Sequence, residues 1–366
     1  MTETKLRILY ITSRADFGGG PQQVYLLIRP LIEQKSAEVF IACPNDVPFW
    51  EKFQQTVGAG NMFQIPHREF GFLNFFSLLR FVITNKIDVI HSHGKGGGIY
   101  GRLLTLCCFK KTIHTFQGIH IAQYSPLKRA AYLALERFFS IFTSKIVASS
   151  SSEGEKLISL KIAPPSKITV IPNGIEIPEE WNQAKHPETK PLKILSISRC
   201  DYAKNTELII PIMQSLEKCG ELDKFEFVII GDGPNKALIE KQVHEAGYQD
   251  YVNFTGHVKS ITDIMLQAFV FLSTSRSEGM PLSLLEAMAF GIPVIASKVR
   301  GNVDVVKHEK TGFLYELDRV EDLTASLKKL TSSSDLWREF SNNSREVAKR
   351  EFSAETMSAK TFNLYQ

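Results

Sequence analysis

"LRILYITSRADFGGGPQQVYLLIRPLIEQ" spans Leu6 to Gln34. An apolar run, Leu6 to Thr12, is followed by Gly18, Gly19, Gly20 and Pro21, and then by apolar residues at helical spacing. That is a strand, a glycine loop and a helix. The same alternation continues with strands at "AEVFIAC", "IDVIHSHG", "KTIHTFQG" and "KIVASS", separated by helical patterns. Strands alternating with helices imply a parallel sheet covered on both faces. After "ITVIPNGIEIP" comes a polar, proline-bearing stretch from Glu179 to Pro191, which reads as a linker. Then the pattern restarts with "LKILSIS", "FEFVIIGDGPNKALIEKQV", "VNFTGHV", "AFVFLSTS" and "IPVIAS". The expectation is an α/β chain of two doubly wound halves without sequence repetition. Ligands of such sheets bind beyond the carboxyl ends of the strands, so a cleft between the halves is the expected site.

The 366 residues suit two domains, and 43% hydrophobic with 22% charged residues supports a packed core. A net charge of +4 is too small to argue for nucleic acid. Five scattered cysteines without CxxC spacing argue against a disulfide scaffold or a zinc site. The first residues lack a signal-peptide layout, and no run of eighteen uncharged apolar residues occurs, so the expectation is a cytoplasmic protein.

Several motifs fall at strand ends. In "SISRCDYAKN", Arg199 and Lys204 could clamp a diphosphate, or could be solvated loop charges. "GDGPNK" offers Gly231 and Gly233 in a tight turn with Asp232 as a cap, but lacks the third glycine of a dinucleotide site. The loop at Gly19 and Gly20 could face an anion at a helix start, or be merely flexible. His91, His93, His114 and His120 gather near strand ends, with His67 and His257 elsewhere. No HExxH, no DxD and no clustered carboxylate accompanies them, so no metal is expected. A hydrogen-bonded structural role is the expectation for His91.

"SEGMPLSLLEAMAFGIPVIAS", Ser277 to Ser297, holds two glutamates, Glu278 and Glu286, in otherwise apolar surroundings. Pro281 can open the helix as its first residue, leaving Glu278 before it and Glu286 inside. Eight helical steps would separate them by roughly 12 Å, too far for one acid/base pair on a single atom. They could grip two ends of an elongated ligand such as a nucleotide sugar. Glu286 would take the ribose, Glu278 the sugar, and the helix start at Gly279, Met280, Pro281 and Leu282 would face the diphosphate. An unpaired buried carboxylate costs on the order of several kcal/mol, so Glu286 needs donors from ligand or backbone.

With these motifs, plus "FGGGPQQV", "VIPNGIE" and "GFLYE", nearly the whole chain resembles family 4 glycosyltransferases. The resemblance implies retaining, metal-independent enzymes of the GT-B fold, two facing Rossmann-like domains with an interdomain cleft. It implies an acceptor-binding domain over residues 1–172, a hinge over 173–191, a nucleotide-sugar domain over 192–345, and a helical tail over 346–366 packing back toward the first domain. Arg199 and Lys204 would hold the diphosphate, Glu278 the sugar and Glu286 the ribose. Gly19 and Gly20 would lie against diphosphate and sugar. Where such enzymes place a histidine in a T-x-H-G stretch, this chain has Gln117, flanked by His114 and His120. His93, His114 and His120 are candidate acceptor or sugar contacts. No cofactor is implied; the donor, with UDP as the expected nucleotide, is a substrate. Relatives of this kind build surface polysaccharides on glycan or lipid-linked acceptors. Phe70–Lys86 and Ser125–Lys145, which mix aromatics with Lys and Arg, could therefore rest on the inner face of the cell membrane, or pack in the core. A nucleotide-sugar epimerase and a catalytically silent nucleotide-sugar-binding protein are the alternatives.

Overall fold

The computed structural model describes residues 5–119, 121, 124–179, 183–187, 189–256, 258 and 260–366. The chain forms two compact units, residues 1–174 with 354–366, and residues 175–353. The helix Ser334–Glu351 runs unbroken within the second unit, and the chain returns to the first at Ala354.

The first unit contains β1 (Leu6–Thr12), β2 (Ala37–Cys43), β3 (Met62–Gln64), β4 (Val89–His93), β5 (Lys111–Thr115), β6 (Lys145–Ala148) and β7 (Ile168–Val170). They pair in the order β3-β2-β1-β4-β5-β6-β7, parallel throughout. Residues of β1 are buried on both faces, as a covered parallel sheet requires. Ile8 and Tyr10 meet Val24 and Leu27 of the helix Gly19–Glu33, and Met357 of the helix Ala354–Phe362. Leu9 and Ile11 meet Phe75 and Leu78 of the helix Phe72–Thr84, and Tyr100 and Leu104 of the helix Gly94–Cys108.

The second unit contains β8 (Leu192–Ile197), β9 (Phe225–Ile230), β10 (Val252–Gly256), β11 (Ala268–Ser273), β12 (Val294–Ser297) and β13 (Gly312–Tyr315). Their order is β10-β9-β8-β11-β12-β13, again parallel. The fold class is that expected: α/β, two Rossmann-like units. β3 and β13 are strands that the pattern of apolar runs did not mark. Both are short edge strands, and β3 has no buried residue.

In each sheet the strand order reverses once, between β1 and β4 and between β8 and β11. Chains leave such neighbouring strands toward opposite faces, opening a crevice at their carboxyl ends. Gly19 and Gly20 follow β1, His93 ends β4, Arg199 and Lys204 follow β8 and Glu278 follows β11, while Gln117 follows the adjoining β5 and the Gly231–Gly233 turn the adjoining β9.

Candidate functional site

In the second unit, the loop after β8 is tied down on both sides. Cys200 N–H donates to Asp232 O at 3.0 Å and Asn235 N–H to Cys200 O at 3.0 Å. A Cβ at Gly231 would fall 2.2 Å from Ser198 O, and one at Gly233 2.4 Å from Cys200 O. The Gly-Asp-Gly turn is therefore a brace for the Arg199–Lys204 loop. Asp232, expected as a helix cap, instead accepts from its neighbour Gly233 N–H at 2.7 Å. The following helix starts only at Lys236, out of its reach.

The loop after β11 locks onto the same segment. Asn205, in the left-handed region at φ 54, donates from Nδ2 to Thr274 O at 3.1 Å. Thr274 Oγ1 donates to Lys204 O at 2.9 Å. These contacts deliver Lys204 to Glu278. Its Nζ lies 2.6 Å from Glu278 Oε1, and Ser275 Oγ donates to the same oxygen. The pair borders a recess that Ser198, Ser275, Pro281 and Ser283 also line. Arg199 is the freer cation, 62% exposed, with its guanidinium on Asp201. Asp201 also accepts from Lys204 N–H at 3.1 Å. Asp201 thus holds the Arg199 guanidinium and the Lys204 backbone, and Ser275 holds the Glu278 carboxylate. Sequence reading missed them, and the Asp two residues after Arg199 was the available signal.

Pro281 is the residue before the helix Leu282–Ala289 rather than its first residue. Glu278 to Pro281 is loop, so helical rise governs only four of the eight steps to Glu286, about 6 Å. Pairing, rather than a 12 Å span, keeps the two glutamates distinct. Gly279 and Met280 belong to that loop, where Gly301, at φ +86, packs so closely that a Cβ would meet Glu278 Cβ at 2.7 Å. Glu286 is half-buried. Burial, with the Glu176 carboxylate adding to it, pushes Glu286 up from 4.5 to about 7. Among the described residues no hydrogen-bond donor meets its carboxylate, so the backbone donors considered above are not found.

In the first unit, Gly19 and Gly20 open the helix Gly19–Glu33. Gln117 Nε2 donates to Gly20 O at 3.3 Å and to Gln23 Oε1 at 2.8 Å. A Cβ at Gly20 or at Gly94 would lie 2.7 or 3.2 Å from Gln117 Oε1. Gln117 therefore sits where two helices begin, Gly19–Glu33 and Gly94–Cys108. Gly118 beside it, at φ +90, is held by Glu153, which accepts from Gly118 N–H at 2.7 Å and Ser149 N–H at 2.8 Å. Glu153 also went unremarked, although Ser150-x-x-Glu153 has capping-box spacing.

His93 ends β4 and is 1% exposed. Burial lowers it to about 3, so the ring is neutral at working pH. Among the described residues neither ring nitrogen has a hydrogen-bond partner. His91 has the expected structural role, with Tyr365 OH at 2.6 Å on Nδ1 and Thr115 Oγ1 at 2.7 Å on Nε2. His114 does not join His93. It is in register with Ser92, so its ring lies on the opposite sheet face, 2.9 Å from Ser92 Oγ. His120 and His257 lie outside the described residues.

One group of metal-ligand type comes together among the described residues, Asp16 with Asp46 and His67. Burial alone would raise Asp16, but the Arg14 guanidinium, seconded by Arg68, holds it below the usual carboxylate range. Arg14 Nε and Nη2 reach its two oxygens at 2.7 and 2.9 Å, and His67 Nδ1 sits on Asp46. Asp16 is already answered by the Arg14 guanidinium, and Asp46 by the His67 ring.

Residues 17–178 match the model of Glycosyltransferase Family 4, and residues 178–347 that of Glycosyl transferases group 1. A similar protein of Escherichia coli, UDP-Gal:alpha-D-GlcNAc-diphosphoundecaprenol alpha-1,3-galactosyltransferase, is 26% identical over 92% of this chain and 90% of its own. The O-antigen biosynthesis glycosyltransferase WbnH of Escherichia coli is 26% identical over 90% and 91%. Among solved structures, Anabaena Alr3699/HepE in complex with UDP and glucose has the same fold, with a TM-score of 0.81 over 98% of both chains at 16% identity. Adjoining matches of this kind, on a fold whose two switch points carry the motif residues, place the chain among the glycosyltransferases of family 4, of the GT-B fold.

Proposed function

We propose that the protein transfers a sugar, with retention of anomeric configuration and without a metal ion, from a UDP-sugar to a glycan or lipid-linked acceptor in bacterial polysaccharide synthesis. The observation that carries this is the half-buried Glu286 carboxylate with no protein donor among the described residues, in the helix that follows the loop where Glu278 is paired with Lys204. A carboxylate held up to about 7 by burial is stabilised by ligand hydroxyls, and ribose supplies two. Lys204 and Arg199 sit where negative charge would develop on a departing diphosphate, and fixed cations there supply what a metal ion would. The acceptor oxygen bonds to the anomeric carbon as the bond to the diphosphate breaks. The electron pair leaves with UDP, and the acceptor proton passes to the departing phosphate oxygen. Gln117 can hold a sugar hydroxyl but cannot act as an acid or base, and neutral His93 is a contact for a hydroxyl of sugar or acceptor. The UDP preference is supported by the names of the similar galactosyltransferase and the HepE complex. The lipid-linked acceptor is supported by the first of these, and it implies a peripheral position at the inner face of the membrane.

The test is transfer by the purified full chain from UDP-sugars in the presence of EDTA, with the product linkage read by NMR. We expect turnover to survive chelation, the product to keep the donor's anomeric configuration, and Lys204→Ala to lose on the order of 10² to 10³ in rate. Rescue by Mg²⁺ after loss in EDTA, an inverted product, or an active Lys204→Ala enzyme would overturn the corresponding part of the mechanism.

A further inference from the structure

The helix Phe72–Thr84 is apolar on more than one side, interrupted mainly by Asn74, Ser77 and Arg80, and a helix so apolar is ordinarily buried. Only one side is. Phe75, Leu78 and Val82 pack on the sheet, while Phe72, Leu73, Phe76 and Ile83 are 50% to 81% exposed. The helix Pro126–Phe142 repeats this. Phe139 is buried, but Leu127, Phe138 and Ile141 are exposed, by 82%, 48% and 66%. Both helices pack against Gly94–Cys108, so their outer sides belong to one layer over the first sheet. Scattered exposed apolar residues need no explanation, but stripes on neighbouring helices do.

The charges are as one-sided as the apolar residues. Across residues 70–86 and 125–145 the only acidic residue is Glu136, and it is buried on Arg102. Arg80, Lys86, Lys128 and Arg129 are exposed. Lys128 and Arg129 stand in the first turn of their helix, where the macrodipole disfavours cations. Phe109 ends the middle helix in the left-handed region at φ 52, a position suited to glycine, and is 89% exposed. Lys128 Nζ lies 4.6 Å from the centre of the Tyr124 ring, but that contact accounts neither for Arg129 beside it nor for Phe109. A surface that combines exposed rings with unopposed cations has the chemistry of an interfacial membrane binder. No helix among the described residues is long and apolar enough to cross a bilayer.

We propose that this face of the first unit docks on a bilayer containing anionic phospholipid. Phe72, Phe76 and Phe138 enter the headgroup region, and Arg80, Lys128 and Arg129 meet lipid phosphates. The proposal deepens the lipid-linked-acceptor reading and rests on it for its purpose, because docking would bring the enzyme to a membrane-held substrate.

The experiment is co-sedimentation of the full chain with vesicles of phosphatidylcholine alone, or with about one-third phosphatidylglycerol. We expect binding to the anionic vesicles only, weakened by salt. Lys128→Ala with Arg129→Ala should lower partitioning roughly 25-fold, at about fivefold per cation. Phe72→Ser with Phe76→Ser should lower it comparably. UDP affinity and melting temperature should stay at wild-type values in both variants, showing that each is folded. No binding to anionic vesicles, or equal binding by wild type and both folded variants, overturns the proposal. So does a concentration-dependent dimer that shields these residues from hydrogen exchange, which would make a second copy the occupant. Sugar transfer to a soluble acceptor by a chain that ignores vesicles would sink the docking surface and leave the enzymatic reading intact. Vesicle binding without any transfer would do the reverse.

Discussion

Glu286 is where sequence and structure speak to each other most directly. A charge inside an apolar helix stands out in the sequence, and the raised value of about 7 says that the folded protein prefers it neutral. The folded state therefore binds more protons than the unfolded chain between pH 4.5 and about 7, and stability falls as pH rises through that window. The full shift corresponds to roughly 3 kcal/mol, and partial exposure of the side chain reduces it. Glu286→Gln should then be about 1–2 kcal/mol more stable than wild type at pH 8 and equal to it near pH 4.5. The same variant should bind UDP roughly tenfold to a hundredfold more weakly, the worth of a hydrogen bond to a charged group. Urea unfolding at the two pH values, with UDP calorimetry, separates the cases. A pH-independent stability difference would mean that burial does not strain this carboxylate. Glu278→Gln should behave otherwise, since its carboxylate is already answered by Lys204 and Ser275. That pairing could not be read from the sequence, because Lys204 and Glu278 lie 74 positions apart. Nor could the bond from Gly118 to Glu153 across 35 positions. Residue types report chemistry; partners at long range come only from the fold.

Strands and helices were legible where apolar runs were long, as in β1, β8 and β11, and illegible where three or four residues pair at an edge, as in β3 and β13. The Gly-Asp-Gly turn was visible as a turn, but not as a brace, because its work is done against Ser198 and Cys200, more than thirty residues earlier. That assignment has a consequence for the element as a whole. Gly231 has φ +133 and lies so near Ser198 O that a side chain there must push the Arg199–Lys204 loop outward. Gly231→Ala should cost roughly 1–3 kcal/mol in stability and should weaken UDP binding, although Gly231 itself is not required to touch the nucleotide. Urea unfolding and calorimetry on the variant check both. Wild-type stability would show that the loop yields without cost, and the brace would then be no brace.

At the scale of the molecule, chain order and unit order differ. The first unit is built from residues 1–174 and is finished only by 354–366. The returning helix packs on the helix Gly19–Glu33, and Met357 and Tyr365 join the same core as Tyr10, Val24 and Leu27. Tyr365 OH lies 2.7 Å from Tyr10 OH and 2.6 Å from His91 Nδ1, and all three residues are at most 2% exposed. The last residues of the chain thus satisfy polar groups of the two strands that flank the switch point, β1 and β4. Tyr365→Phe keeps the ring and removes only the hydroxyl, leaving His91 Nδ1 and Tyr10 OH without it, at a cost of about 1–3 kcal/mol. Stopping the chain after Ser353 also removes the buried Met357 and the ring of Tyr365 from this core, each worth about 1.5–3 kcal/mol of burial, so the loss should be several kcal/mol. The loss should be confined to one unit. Hydrogen exchange followed by mass spectrometry should show protection falling in β1 and β4 of the truncated chain while β8 and β9 keep theirs. Tyr365→Phe should show the same pattern more weakly. Unchanged protection in β1 would mean that the first unit is complete without its tail. Equal loss in β8 and β9 would mean that the two units do not unfold separately.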